Sequence, residues 1–382
     1  MVFGEFKIKV FLYTDLCVSF WALFWHRDLG LLTKALRGLG HNAWLVVHPK
    51  FESASKIKNQ KSKIPKEPVI WASSSDVRTP SWWQSHKPDL VILGLWTRPK
   101  YDPIRRAALS ATPRVIERAD SDGIRTASCG LRAYARRRYD YFRDRSICWP
   151  SFLSIPASVF YSLASLLATP WIETRLGRTL KLLPALTVET PKATQLWKKL
   201  AIKLEAPPQR IHYIPHPIQT DIFHHDLSVR KKNQIISVGR WESYQKNLPL
   251  LLKTLVPLLN KNPGWTALVV GSGLPESHAD SRIRFSKPLL PVSLALKMQE
   301  SKIFLSVSRY ESFGLAAAEA QACGCMVLAK NSFLPGTGPH MLDFRNLSLS
   351  IAFERYFTKD AEFLLDPRHI AVRLLQVFQN LN

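Results

Sequence analysis

Two glutamates eight residues apart, Glu311 and Glu319, lie in the run Ser306-Val-Ser-Arg-Tyr-Glu-Ser-Phe-Gly-Leu-Ala-Ala-Ala-Glu-Ala-Gln-Ala-Cys-Gly324. On one helix they would stand about 80° apart and would not share a face. The spacing reads better with Glu311 in the loop after a strand and Glu319 one to two turns inside the next helix. A helix starting near Ser312–Gly314 then points backbone N–H groups at an anion, while the carboxylates accept hydrogen bonds from hydroxyls. A phosphorylated polyol such as a nucleotide sugar offers both partners. The pair alone is also compatible with two solvated helix charges.

A second cluster precedes it, Val238-Gly-Arg-Trp-Glu-Ser-Tyr-Gln-Lys246-Asn. Gly239 ends a strand, and Arg240 and Lys246 follow before a helix. Arg can hold a diphosphate bidentately and Lys as a point charge, although an Arg and a Lys in a loop are also ordinary surface residues. Asp120-Ser-Asp122 has a spacing that can hold a divalent cation. It lies in the other half of the chain, however, and Asp-Ser-Asp-Gly is a common turn sequence, so no metal is expected there. His212, His216, His224 and His225 gather near residues 212–225 without metal-ligand spacing and are read as structural.

The elements that must hold these residues alternate between strand and helix. In the first half, Lys7–Tyr13, Ala43–Val47, Asp89–Leu93 and Arg114–Ile116 are strand-like, and Leu29–Leu39 has helical leucine spacing that stops at Gly40. In the second half the strands are Gln234–Val238, Thr266–Val270, Lys302–Ser306 and Met326–Ala329. Helices fall at Leu248–Leu259 and from about Gly314 to Ala322. Strands separated by helices imply parallel sheets. The expectation is an α/β chain of two Rossmann-like doubly wound domains facing across a cleft. The first domain spans 1–215 and is completed by a C-terminal helix at about 366–382; the second spans 216–365. Ala206-Pro-Pro-Gln and Ile214-Pro-His-Pro-Ile mark the break.

The 382 residues are 46% hydrophobic and 21% charged, which excludes a disordered or fibrous chain. The net charge is +24, and it is uneven. Residues 1–215 carry 34 Lys+Arg and 16 Asp+Glu, a net of +18, against +6 for the remainder. Nucleic acid, an anionic membrane or phosphorylated substrates would each suit such a surface. The 5 cysteines form no CxxC pair and no disulfide framework, which points to a reducing, cytoplasmic compartment. No long apolar run follows Lys7 and Lys9, so no signal peptide is expected.

The order and spacing of these motifs resemble glycosyltransferase family 4, a retaining branch of the GT-B enzymes also known as glycosyl transferases group 1. The resemblance begins at Tyr213-Ile-Pro-His-Pro-Ile-Gln-Thr-Asp-Ile-Phe223. It runs through Val238-Gly-Arg240 with Lys246-Asn and through Val269-Val-Gly-Ser-Gly273, and it ends on Glu311, Glu319 and Ala322-Cys-Gly324. It covers about 211–330. Departures are His216-Pro-Ile-Gln, Cys325-Met326, and the lack of an early Gly-Gly loop. The resemblance implies that Arg240 and Lys246, beside Gly239, neutralise the leaving nucleoside diphosphate. It implies that Glu311 binds donor-sugar hydroxyls and Glu319 the ribose, and that Phe313, Gly314 and Leu315 form the loop meeting sugar and phosphate. It further implies transfer with retention, no bound metal, no tightly bound cofactor and a UDP- or GDP-sugar donor. A glycine turn at Gly336-Thr-Gly338 falls where the family brings one near the donor. On the acceptor side, a polar residue after strand Arg114–Ile116 is implied, which makes Glu117, Asp120 or Asp122 a candidate, with Asp120 the one assigned to catalysis.

Arg125–Arg145 holds seven arginines against Asp140 and Asp144, with Tyr134, Tyr139, Tyr141 and Phe142 between them. It leads into 146–172, which has no charged residue but is broken by Pro150, Pro156 and Pro170. The 13 residues from Ala157 to Thr169 make a helix of about 20 Å, too short for a hydrocarbon core of about 30 Å. The segment is expected either to be buried or to lie on an anionic membrane surface, arginines on head groups and aromatics at the boundary. The resulting expectation is a peripheral enzyme on the inner face of the cell membrane, with a lipid-linked or other anionic glycan as acceptor. A nucleic-acid acceptor and a non-catalytic GT-B binding module are the alternatives.

Overall fold

Short, largely apolar runs form the strands, and amphipathic segments form the helices that cover them. The computed structural model describes residues 7–15, 27–47, 68–95, 97–119, 166–329 and 365–381, together with single positions between 131 and 164. The chain divides into two units. The first comprises 1–130, 167–217 and 366–382, and the second 131–166 and 218–365.

In the first unit the strands are β1 (Lys9–Thr14), β2 (Asn42–Val47), β3 (Val69–Trp71), β4 (Leu90–Gly94), β5 (Val115–Ala119), β6 (Ala185–Val188) and β7 (Ile211–Tyr213). They form one sheet in the order β3-β2-β1-β4-β5-β6-β7, and every pairing is parallel. Parallel strands are covered on both faces and therefore read as unbroken apolar runs. Val10, Phe11, Leu12 and Tyr13 are all fully buried. The helices are α1 (Asp28–Gly38), α2 (Pro80–His86), α3 (Asp102–Leu109), α4 (Thr169–Leu182) and α5 (Pro191–Lys203). The terminal helix, labelled α9 below (Pro367–Gln379), packs Ile370, Leu374 and Leu375 against Leu29, Leu32 and Leu36 of α1. It starts cleanly because Asp366 accepts from the N–H groups of Arg368 and His369 and Pro367 opens its first turn.

The second unit repeats the pattern with β8 (Lys232–Arg240), α6 (Leu248–Lys261), β9 (Thr266–Ser272), β10 (Ile283–Ser286), α7 (Pro291–Glu300), β11 (Ser301–Ser306), α8 (Leu315–Ala322) and β12 (Met326–Ala329). Its sheet is parallel in the order β10-β9-β8-β11-β12. Chain order reverses between β8 and β11, which puts a topological switch point at their carboxyl ends. In the first unit the corresponding point lies between β1 and β4.

Two sequence expectations meet a different structure. Leu131–Leu166 groups with the second unit, although by position it falls within 1–215. Within it, the Tyr139 ring meets Tyr244 edge-on and the Arg143 guanidinium lies over the Tyr244 ring. Glu117 is not an acceptor-facing residue. It is fully buried on β5, where Arg105 donates to it from Nε (2.6 Å) and Nη2 (2.9 Å) and the Thr97 N–H also donates to it. Its neighbours in the candidate set, Asp120 and Asp122, lie outside the described residues, as do Gly336 and Gly338.

Candidate functional site

At the switch point of the second unit, two loops meet. One follows β8 and runs from Trp241 to Asn247; the other follows β11 and runs from Val307 to Gly314. Glycines let the first loop lie down on the strand ends. Gly271 has φ +145°, and a Cβ there would sit 1.7 Å from the Gly239 carbonyl oxygen. Gly273, at φ +69°, would collide with the Glu242 backbone N at 2.5 Å. Gly239 itself faces the stem of Lys246, whose Cγ would be 3.2 Å from a Cβ.

This packing brings Lys246 back over the strand end to Glu311. Lys246 Nζ donates to Glu311 Oε1 at 2.5 Å, and Gln245 Nε2 reaches Glu311 Oε2 at 3.3 Å. Gln245 Nε2 also donates to the Tyr310 carbonyl at 2.8 Å, and its own carbonyl accepts from the Arg309 N–H at 2.8 Å. Arg309 Nη2 completes the lacing by donating to Asn247 Oδ1 at 2.9 Å. Asn247 precedes α6 in a left-handed conformation (φ 60°, ψ 53°), and its side chain serves Arg309 rather than the helix end.

Glu311 is therefore in the loop and Glu319 inside α8, on its second turn. Gly314 stands before the helix at φ +89°, a conformation suited to glycine. The Ala317 and Ala318 amides donate to the Gly314 carbonyl at the start of α8, and the partial positive charge of a helix N-terminus favours an anion beside it. The Phe313 side chain is a core anchor, 1% exposed among Phe304, Ala317 and Val270, so only its backbone remains at the loop. Leu315 packs partly on the same core. Arg240 is exposed at the end of β8. The structure thus gathers Gly239, Arg240, Lys246, Glu311, Gly314 and Leu315 at one strand edge, with Glu319 one helical turn further on. Sequence reading passed over Gln245, Arg309 and Asn247, which lace the two loops. Their one signal is adjacency to Lys246 and Glu311.

In the first unit, Tyr13 and Asp15 stand at the carboxyl end of β1, with Tyr13 Oη donating to Asp15 Oδ1 at 3.4 Å. Burial, with Asp15 beside it, pushes the Tyr13 hydroxyl up. Deeper in the unit, His216 Nδ1 lies 3.0 Å from Asp28 Oδ1 and Nε2 lies 3.6 Å from Glu189, while Arg118 Nε is 3.4 Å from Asp28. His216 thus acts structurally, in a buried ion network.

Residues 232–341 match the family described as glycosyl transferases group 1. A GDP-mannose:cellobiosyl-diphosphopolyprenol alpha-mannosyltransferase of Xanthomonas campestris is 26% identical over 188 residues, 46% of this chain and 48% of that one. The match thus spans about half the length of that relative. Among solved structures, the catalytic domain of starch synthase IV from Arabidopsis thaliana, bound to ADP and acarbose, superposes with a TM-score of 0.57 at 12% identity, covering 98% of this chain and 99% of that one. HepE from Anabaena, in complex with UDP and glucose, gives 0.52 at 14% identity over 97% and 98%.

Proposed function

For a chain that has the GT-B fold and carries the group 1 glycosyltransferase signature in its second unit, we propose a retaining glycosyltransferase that moves a sugar from a nucleotide-sugar donor to a lipid-linked or other anionic glycan at the inner membrane surface. The observation that carries this reading is the Lys246–Glu311 pair at the switch point between β8 and β11. An arriving diphosphate competes with Glu311 for the ammonium. Lys246 and Arg240 then hold the phosphates, the α8 amides add their partial charge, and Glu311 is released to accept donor-sugar hydroxyls, with Glu319 available to the ribose. As the glycosidic bond breaks, negative charge grows on the leaving diphosphate, where these cations already stand. In this reading no metal is needed for that charge.

The acceptor assignment rests on the relative named above, whose name gives a cellobiosyl-diphosphopolyprenol, and on the +18 of residues 1–215. A membrane surface is supported by Val159, Phe160 and Leu163, which are 54%, 75% and 56% exposed on helical turns beside the arginine-rich segment. Single exposed apolar residues are ordinary, but several on adjacent turns mark an interaction surface. Among the described residues no helix is long and apolar enough to cross a membrane.

The test is a screen of UDP-, GDP- and ADP-sugars for nucleoside diphosphate release, followed by co-flotation with vesicles of anionic or zwitterionic lipid. Release with one nucleotide class and flotation only with anionic vesicles, lost in Phe160→Glu/Leu163→Glu, is the expected result. Absence of release from every donor would overturn the enzymatic reading. Binding to DNA with no vesicle flotation would move the acceptor to nucleic acid.

A further inference from the structure

We propose that Tyr139 and Arg143 are positioning residues of the donor site, acting on Lys246 and Glu311 through Tyr244; this rests on the donor reading above. Both residues belong to the stretch 131–166, which is remote in sequence from the donor motifs yet groups with the second unit. The Arg143 guanidinium carbon lies 5.2 Å from the centre of the Tyr244 ring, and the Tyr139 ring meets it edge-on, centroids 6.3 Å apart at 81°. The guanidinium carbon of Arg309 lies 4.1 Å from the same centre. Tyr244 is two residues before Lys246, and Arg309 two before Glu311.

The two sides of the pair are thus tied to one aromatic ring. Arg309 touches that ring, the Gln245 carbonyl and the Asn247 side chain at once. Gln245 in turn bonds to the Tyr310 carbonyl and the second oxygen of Glu311. A shift of Tyr244 therefore moves both loops, and with them the ammonium and the carboxylate that must separate when a diphosphate binds.

Charge gives the network a direction. Arg143, Arg309 and Lys246 bring three cations, and Glu311 brings one carboxylate. Two guanidinium groups on one ring repel each other while each is attracted to its π face. The negative charges of a bound diphosphate would offset this excess of cations. Nucleotide binding and docking of Tyr139 and Arg143 on Tyr244 should therefore favour each other, and such coupling is reciprocal.

The experiment is calorimetric titration of the full-length protein with UDP, GDP and ADP, then of Arg143→Ala, Arg143→Lys, Tyr139→Ala, Tyr244→Ala and Tyr244→Phe at matched thermal unfolding temperature. For the nucleotide that binds, affinity should fall roughly fivefold to thirtyfold in Arg143→Ala and Tyr244→Ala. Tyr244→Phe, which keeps the ring, and Arg143→Lys, which keeps the charge, should recover most of it. With a turnover donor, KM should rise more than kcat falls. Tryptic cleavage within Arg125–Arg145 should slow when nucleotide is added to the wild type and not in Tyr244→Ala. Tight binding by the wild type with unchanged affinity in Arg143→Ala and Tyr244→Ala would overturn this inference and leave the donor reading intact. No binding of any of the three nucleotides by the wild type would overturn the donor reading, and the coupling with it.

Discussion

Lys246 and Glu311 lie 65 residues apart in sequence and 2.5 Å apart in space, Nζ to Oε1, with side chains only 19% and 14% exposed. Each is the other's ion-pair partner. In the donor reading proposed above, the pair holds a cation ready for a diphosphate and stops Glu311 from repelling it. Preorganisation of this sort places charge before the reaction needs it.

Removing either member should therefore harm catalysis far more than folding. Lys246→Ala is expected to lower donor turnover by about a hundredfold to a thousandfold, the scale for loss of one preorganised charge-stabilising contact. Glu311→Gln should lower it comparably with a smaller change in nucleotide affinity. Nucleoside diphosphate release, with thermal unfolding measured alongside, separates the two effects. Wild-type turnover in Lys246→Ala would refute the role given to it.

The glycines around the pair predict a graded pair of variants. In Gly239→Ala the new methyl would lie 3.2 Å from Lys246 Cγ, and a flexible stem can yield by tenths of an ångström. Turnover should drop by about tenfold while stability stays nearly constant. In Gly271→Ala the methyl would lie 1.7 Å from a backbone oxygen, at a φ of +145°. Nothing can yield there, and the loss should exceed about 4 kcal/mol, visible as failure to fold or a collapsed denaturation midpoint.

Glu117 should behave as a structural residue. With both Arg105 and Glu117 side chains fully buried, removing Glu117 leaves Arg105 only its pairing with Asp102 at 2.7 Å, a loss bounded by the about 3–5 kcal/mol typical of a fully broken buried pair. Glu117→Ala should show that loss in urea unfolding. Any folded fraction should keep its nucleotide affinity. Full stability with selective loss of acceptor transfer would return Glu117 to the acceptor site.

The Asp28 network predicts an acid-sensitive contribution. Burial works against the Asp28 charge, but the neighbouring His216 and Arg118 outweigh it and hold the carboxyl well below the usual carboxylate range. A group whose pKa is lower folded than unfolded stabilises the native state fully above its unfolded pKa, about 3.9, and loses that contribution progressively as pH falls from there through its lower folded pKa. Asp28→Asn should be less stable than wild type at pH 6, and the gap should narrow below about pH 4. A gap constant from pH 3 to 7 would contradict this.

Much of this architecture was legible in the chain. Parallel strands buried on both faces must be continuously apolar, so Val10–Tyr13, Leu90–Leu93 and Ile303–Leu305 announce themselves, and glycine at strand ends marks where loops turn back. The eight-residue interval between Glu311 and Glu319 reads better across a loop–helix junction than on one helix, and that is where β11 gives way to α8.

Other features had no local signature. Glu117 looked like a polar residue available to a substrate because Arg105, which neutralises it, precedes it by 12 positions on a different element. Gln245, Arg309 and Tyr244 are unremarkable loop residues until two strand ends bring them together. The stretch 131–166 read as part of the first half, yet it groups with the second unit, and its Tyr139 and Arg143 meet the Tyr244 ring. The sequence by itself determined periodicity, turns and charge, because these depend on neighbours along the chain. Which cation meets which carboxylate was decided only by the tertiary structure, because ion pairs and ring stacks form between side chains whose proximity exists only once the sheet has ordered its strands.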